Sequence, residues 1–65
     1  MTKLKEKRMQ KGMSQSQLAE KAGVNLRMLQ FYEQGRKSID QAAAITVCAL
    51  ADALDCNVRD LLETQ

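Results

Sequence analysis

The chain has 65 residues, 45% of them apolar, with two cysteines and neither proline nor histidine. So short a chain is one domain, 1–65, that buries only about 60% of its unfolded surface and needs one compact core or a partner that extends it. The net charge of +2 hides a division: residues 1–37 hold nine Lys and Arg against Glu6, Glu20 and Glu33, whereas residues 38–65 hold Arg59 against Asp40, Asp52, Asp55, Asp60 and Glu63.

Thr2 is suited to cap a first helix that ends near Lys11 at Gly12, with Leu4 and Arg8 on one face and Met13 as the apolar anchor after the turn. No apolar run follows Lys3, Lys5 and Lys7. Neither a signal peptide nor a membrane span is expected, and the expected location is the cytoplasm. Ser14 followed by Gln17 has capping-box spacing, which predicts helix 2 over Gln15 to Ala22. Gly23 can take the left-handed conformation that ends a helix, Val24 plugs the turn into the core, and Asn25 is a good N-cap. Helix 3 is then expected from Leu26 to about Gln34, closed by Gly35. Leu18, Ala19 and Ala22 fall on one face of helix 2, and Met28, Leu29 and Tyr32 on one face of helix 3, so the two can share a core. Two short helices joined by so tight a turn have the layout of a helix-turn-helix, whose second helix enters the major groove of DNA.

Ser38 and Gln41 repeat the capping-box spacing and predict helix 4 from Ile39 or Asp40 through Leu54, its apolar side including Ala44, Val47, Cys48, Ala51 and Leu54. Asn57 is placed to cap a last short helix that buries Val58, Leu61 and Leu62. Alanine, leucine, glutamine, lysine and glutamate dominate, and Phe31 and Tyr32 are the only aromatics, which disfavours a sheet. The expected fold is all-α, a compact five-helix bundle without repeat, low-complexity tract or linker.

The chemistry of catalysis finds no footing. Without histidine there is no Ser-His-Asp or Cys-His arrangement and no histidine metal site. Cys48 and Cys56 match no zinc spacing and are expected to be reduced core thiols. Gly12, Gly23 and Gly35 stand singly at helix ends, not in a phosphate-binding loop. Met9, Met13 and Met28 are expected as core filler. No cofactor, metal or small-molecule ligand is called for. The charge division suits a molecule that turns its basic half toward phosphate and its acidic half elsewhere.

The runs Met13-Ser-Gln-Ser-Gln-Leu-Ala-Glu-Lys-Ala-Gly-Val-Asn25, Tyr32-Glu33-Gln34-Gly35 and Leu50-Ala-Asp-Ala-Leu-Asp-Cys-Asn-Val-Arg-Asp-Leu-Leu-Glu63 resemble phage-repressor-type (Xre/Cro-like) helix-turn-helix proteins over nearly the whole chain. The resemblance implies a lambda-repressor-like five-helix domain that binds operator double-stranded DNA, usually as a symmetric homodimer, and represses or sometimes activates transcription. It implies that Gln15 holds a phosphate at the start of helix 2. It further implies that Leu26, Arg27 and Phe31 meet base edges, that Gln34, Arg36 and Lys37 contact the DNA backbone, and that Arg8 pairs with Glu33. Gln30 lies on the same exposed side and is expected to reach an adenine edge, while the fork of Arg27 suits guanine O6 and N7. The chain departs from the family pattern in two places: Leu26 and Phe31 are apolar where polar residues are common, and Arg36 to Ala44 is about three residues longer.

The functional expectation is a sequence-specific transcriptional regulator, a repressor, working as a homodimer. Two other readings remain open: a protein-interaction module such as an antitoxin or adaptor that uses Leu26 and Phe31 toward a protein, and a purely structural assembly domain.

Overall fold

A computed structural model describes residues 2–63. Four α-helices, α1 (Lys3–Gln10), α2 (Gln15–Ala22), α3 (Leu26–Glu33) and α4 (Ala44–Ala53), carry the fold, with short 3-10 turns at Ile39–Gln41 and Val58–Asp60. No strand occurs among the described residues. The expected five-helix count is therefore corrected to four, because the last segment closes only one 3-10 turn.

The local signals act as their chemistry dictates. The Thr2 hydroxyl accepts the Lys5 N–H at 3.2 Å. At α2 both halves of the capping box form: Gln17 N–H donates to Ser14 Oγ at 3.0 Å and Ser14 N–H to Gln17 Oε1 at 2.8 Å. Asn25 Oδ1 accepts the N–H groups of Arg27 and Met28 at 2.8 and 3.2 Å. The four helices end alike, on a backbone bond that reaches back five residues: Met13 to Arg8, Val24 to Ala19, Arg36 to Phe31 and Cys56 to Ala51. Each of these turns needs one left-handed residue. Gly23, φ +70°, supplies it between α2 and α3, and Asp55, φ +54°, takes it after α4.

The core is built from leucine. Leu4, Leu18, Leu29, Leu50, Leu54 and Leu61 are fully buried, so each helix and the final turn contribute to one apolar cluster, completed by Ala19, Tyr32, Ile39, Val47, Ala51 and Ala53. Met13, Ala22, Val24, Cys56 and Val58 pack against it. α2 lies against both α3 and α4, and α1 against α3.

Expectations about the start of helix 4, its buried face with Cys48, and two of the methionines are overturned. The segment from Ile39 is not the start of α4. Ser38 Oγ accepts the Asp40 N–H at 3.2 Å, which winds a 3-10 turn that sinks Ile39 into the core, and extended backbone at Ala42 and Ala43 separates that turn from α4. The buried side of α4 is Val47, Leu50, Ala51, Ala53 and Leu54, and Ala44 and Cys48 are exposed. Cys48 is thus no core thiol, whereas Cys56 packs against the core as expected. Of the three methionines expected as filler, Met13 packs on the core but Met9 and Met28 are exposed.

Candidate nucleic-acid interface

The site is assembled around one buried carboxylate. Glu33, on the last turn of α3, is 5% exposed. A charge buried this deeply is tolerable only if paired and hydrogen-bonded, and Glu33 is both. Arg8 of α1 donates Nε to Oε2 at 2.7 Å and Nη2 to Oε1 at 3.1 Å. Gln15 of α2 donates Nε2 to the same Oε1 at 3.1 Å. The Arg8 fork also donates Nη1 to the Met13 carbonyl at 2.7 Å, and Thr2 Oγ1 donates to the Glu33 carbonyl at 3.3 Å. The Arg8–Glu33 pair is where the resemblance put it. The bonds from Gln15, Met13 and Thr2 have no sequence signature, since they depend on how three helices meet.

This anchoring fixes α3 from behind and leaves its front clear. Leu26 and Arg27, on the first turn, are exposed, and Gln30 and Phe31 are half-buried. Gln30 Nε2 donates to Gln15 Oε1 at 3.4 Å, so the side chain expected to reach a base is tied to the residue expected to hold a phosphate. Gln15 is the first residue of α2, where backbone N–H groups lack intrahelical acceptors and the helix dipole favours an anion. Past the end of α3, Gln34, Arg36 and Lys37 are exposed. The Arg36 guanidinium lies 5.9 Å from the centroid of the Phe31 ring, within cation–π reach. Arg36 and Lys37 border a shallow hollow with Tyr32, Ser38 and Gln41. Gln15 is thus linked to Gln30, and Phe31 to Arg36 past the end of α3, while Leu26 and Arg27 stand on its first turn.

Charge is segregated less cleanly than its order along the chain suggests. Lys7 lines a hollow with Asp52, Asp55, Asp60, Cys56 and Asn57, so this lysine of the basic half sits among acids. Burial pushes the Cys56 thiol above its ordinary value of 9.0, and Asp60 adds to the rise while Lys7 and Lys11 oppose it. Among the described residues no cluster of His, Cys, Asp or Glu is arranged to hold a metal.

Residues 4–61 match the helix-turn-helix family model. The chain belongs to the Xre/lambda-repressor-like helix-turn-helix family. That family is one of DNA-binding regulators and is typically non-enzymatic. No curated protein and no solved structure matches the chain. No helix among the described residues is long and apolar enough to cross a membrane.

Proposed function

We propose that this chain is one domain that works as a sequence-specific transcriptional repressor in the cytoplasm, reading the major groove of operator DNA with α3. The observation that carries the reading is the mounting of α3: its last turn is bolted to α1 and α2 through Glu33, while its first turn presents Leu26 and Arg27 to solvent. In this reading Arg27 takes a guanine edge, Leu26 and Phe31 meet thymine methyl groups, and Gln15, Gln34, Arg36 and Lys37 hold the phosphates that set the register.

One such domain makes few base contacts, so the working form is a homodimer on half-sites about one helical turn, ~34 Å, apart. The exposed side of α4 is the candidate for its seam. Ile45 is the most exposed of the large apolar residues described, at 81%, and Cys48 stands one turn beyond it.

The test is selection from a pool of random duplex DNA by the purified protein at physiological salt. Enrichment of an inverted repeat with that spacing is the expected result. Failure to enrich any sequence overturns the reading and favours a protein partner for α3, whose Leu26 and Met28 are each 37% exposed.

A further inference from the structure

The Gln15 amide has only one way to sit in this network. An ionised carboxylate accepts and cannot donate, so the edge of the Gln15 amide turned to Glu33 Oε1, 3.1 Å away, must be its NH2. Its oxygen then faces away from Glu33, and the group that meets it is the Gln30 amide nitrogen at 3.4 Å. One Gln15 hydrogen is bound to Glu33. The other remains for a ligand, on the first residue of α2. With both of its ends engaged, the amide is held in one orientation before any ligand arrives.

Gln30 is the other half of this link. It is half-buried and gives one of its two amide hydrogens to α2, so an adenine contact would have to be made by the other hydrogen and Oε1 while the link to Gln15 is kept or broken. We propose that Gln30 is a positioning residue: it orients the Gln15 amide toward a DNA phosphate and does not select a base. This rests on the DNA-binding reading above and replaces the adenine contact expected of Gln30 from the sequence, leaving base selection to Leu26, Arg27 and Phe31. The chain of bonds Arg8–Glu33–Gln15–Gln30 makes phosphate holding a property of the three-helix junction.

The test compares the full chain with Gln30→Met, which keeps length and removes the donor, and with Gln15→Ala and the double variant. On mixed-sequence duplexes and on a selected site alike, Gln30→Met is expected to bind roughly 3- to 10-fold more weakly, the range for one lost hydrogen bond. The double variant is expected to bind no more weakly than Gln15→Ala alone, since Gln30 acts through Gln15. In the free, isotope-labelled protein the side-chain amide signals of Gln15 shift when Gln30 is replaced, with the melting transition retained. Loss confined to duplexes carrying one particular base pair, or additive losses in the double variant, overturns the proposal and makes Gln30 a reader. Unchanged Gln15 signals overturn it as well. If the unaltered protein binds no duplex, the DNA reading falls together with the phosphate role, while the Gln15 signals still report whether the amide link exists.

Discussion

Arg8 and Glu33 meet edge to edge, Nε to Oε2 at 2.7 Å and Nη2 to Oε1 at 3.1 Å, across the seam between α1 and α3. Removing Arg8 strands a carboxylate whose side chain is 1% exposed, and removing Glu33 leaves a largely buried guanidinium with, among the described residues, only the Met13 carbonyl. Glu33→Ala and Arg8→Ala are each expected to cost about 3–5 kcal/mol, comparable with the whole stability of a domain this size, about 3–10 kcal/mol. Urea unfolding followed by circular dichroism measures both. The paired replacement Arg8→Met with Glu33→Leu leaves no orphaned charge and is expected to recover most of the loss. Single variants as stable as the parent would mean that water reaches the pair.

Asp55 performs for α4 the task that glycines perform for α1, α2 and α3, with φ +54°. A side chain in that region is disfavoured by about 1–2 kcal/mol, less for aspartate than for most residues. Asp55→Gly is expected to raise stability by up to about 1 kcal/mol, because relief of strain outweighs the extra freedom of the unfolded chain. The converse change, Gly23→Ala, is expected to destabilise by about 1–2 kcal/mol through conformation alone, since a Cβ there meets nothing within 4 Å. Thermal melts of the two variants should move in opposite directions.

Arg27 is exposed on the first turn of α3. Arg27→Ala is expected to relax the preference at one base position by roughly 1–3 kcal/mol while general duplex affinity holds. Competition binding between a selected site and its single-base variants measures this. Equal weakening on every duplex, with a shallower salt dependence, would make Arg27 a phosphate ligand instead.

The two thiols should separate by reactivity. Cys48 is exposed, whereas Cys56 packs on the core and its thiol is pushed up by burial and then by Asp60. At mildly alkaline pH an aromatic disulfide reagent is expected to titrate Cys48 rapidly and Cys56 slowly, because the thiolate is the nucleophile. The same shift has a consequence for folding. With the folded value above the ordinary 9.0, the unfolded chain gives up its proton first as pH rises. Stability is therefore intact below that pH and falls above it. Cys56→Ala is expected to flatten that alkaline decline, and one indistinguishable reaction phase for the two thiols would contradict their different settings.

The first half of the chain was legible because its signals are local. The Ser14–Gln17 box, the Gly23 turn and the Asn25 cap each act within a few residues, and α2 runs from Gln15 to Ala22 as expected. The second half misled because its box is a different device: Ser38 caps at Asp40, two residues on, and burial of Ile39 takes precedence over helix continuity. Ala42, Ala43 and Ala44 carry too little side chain to mark where α4 begins. The expected face of α4 holds at Val47, Ala51 and Leu54, which are buried, but not at Ala44 and Cys48, which are exposed, and it omits Leu50, which is fully buried. At the site, the resemblance supplied the Arg8–Glu33 pair, but the links from Gln15 and Gln30 join residues brought together only by packing.

Glu33 gathers donors from α1 and α2 onto α3, and that makes the proposed reading helix a stiffly mounted one. A duplex approaching it meets a preset surface, so the deformation needed for a close fit falls on the nucleic acid rather than on the protein. Steps that bend or narrow easily lower that cost. If two copies bind as proposed, discrimination extends to base pairs lying between them, which no side chain touches, and replacing those central pairs alone should alter affinity.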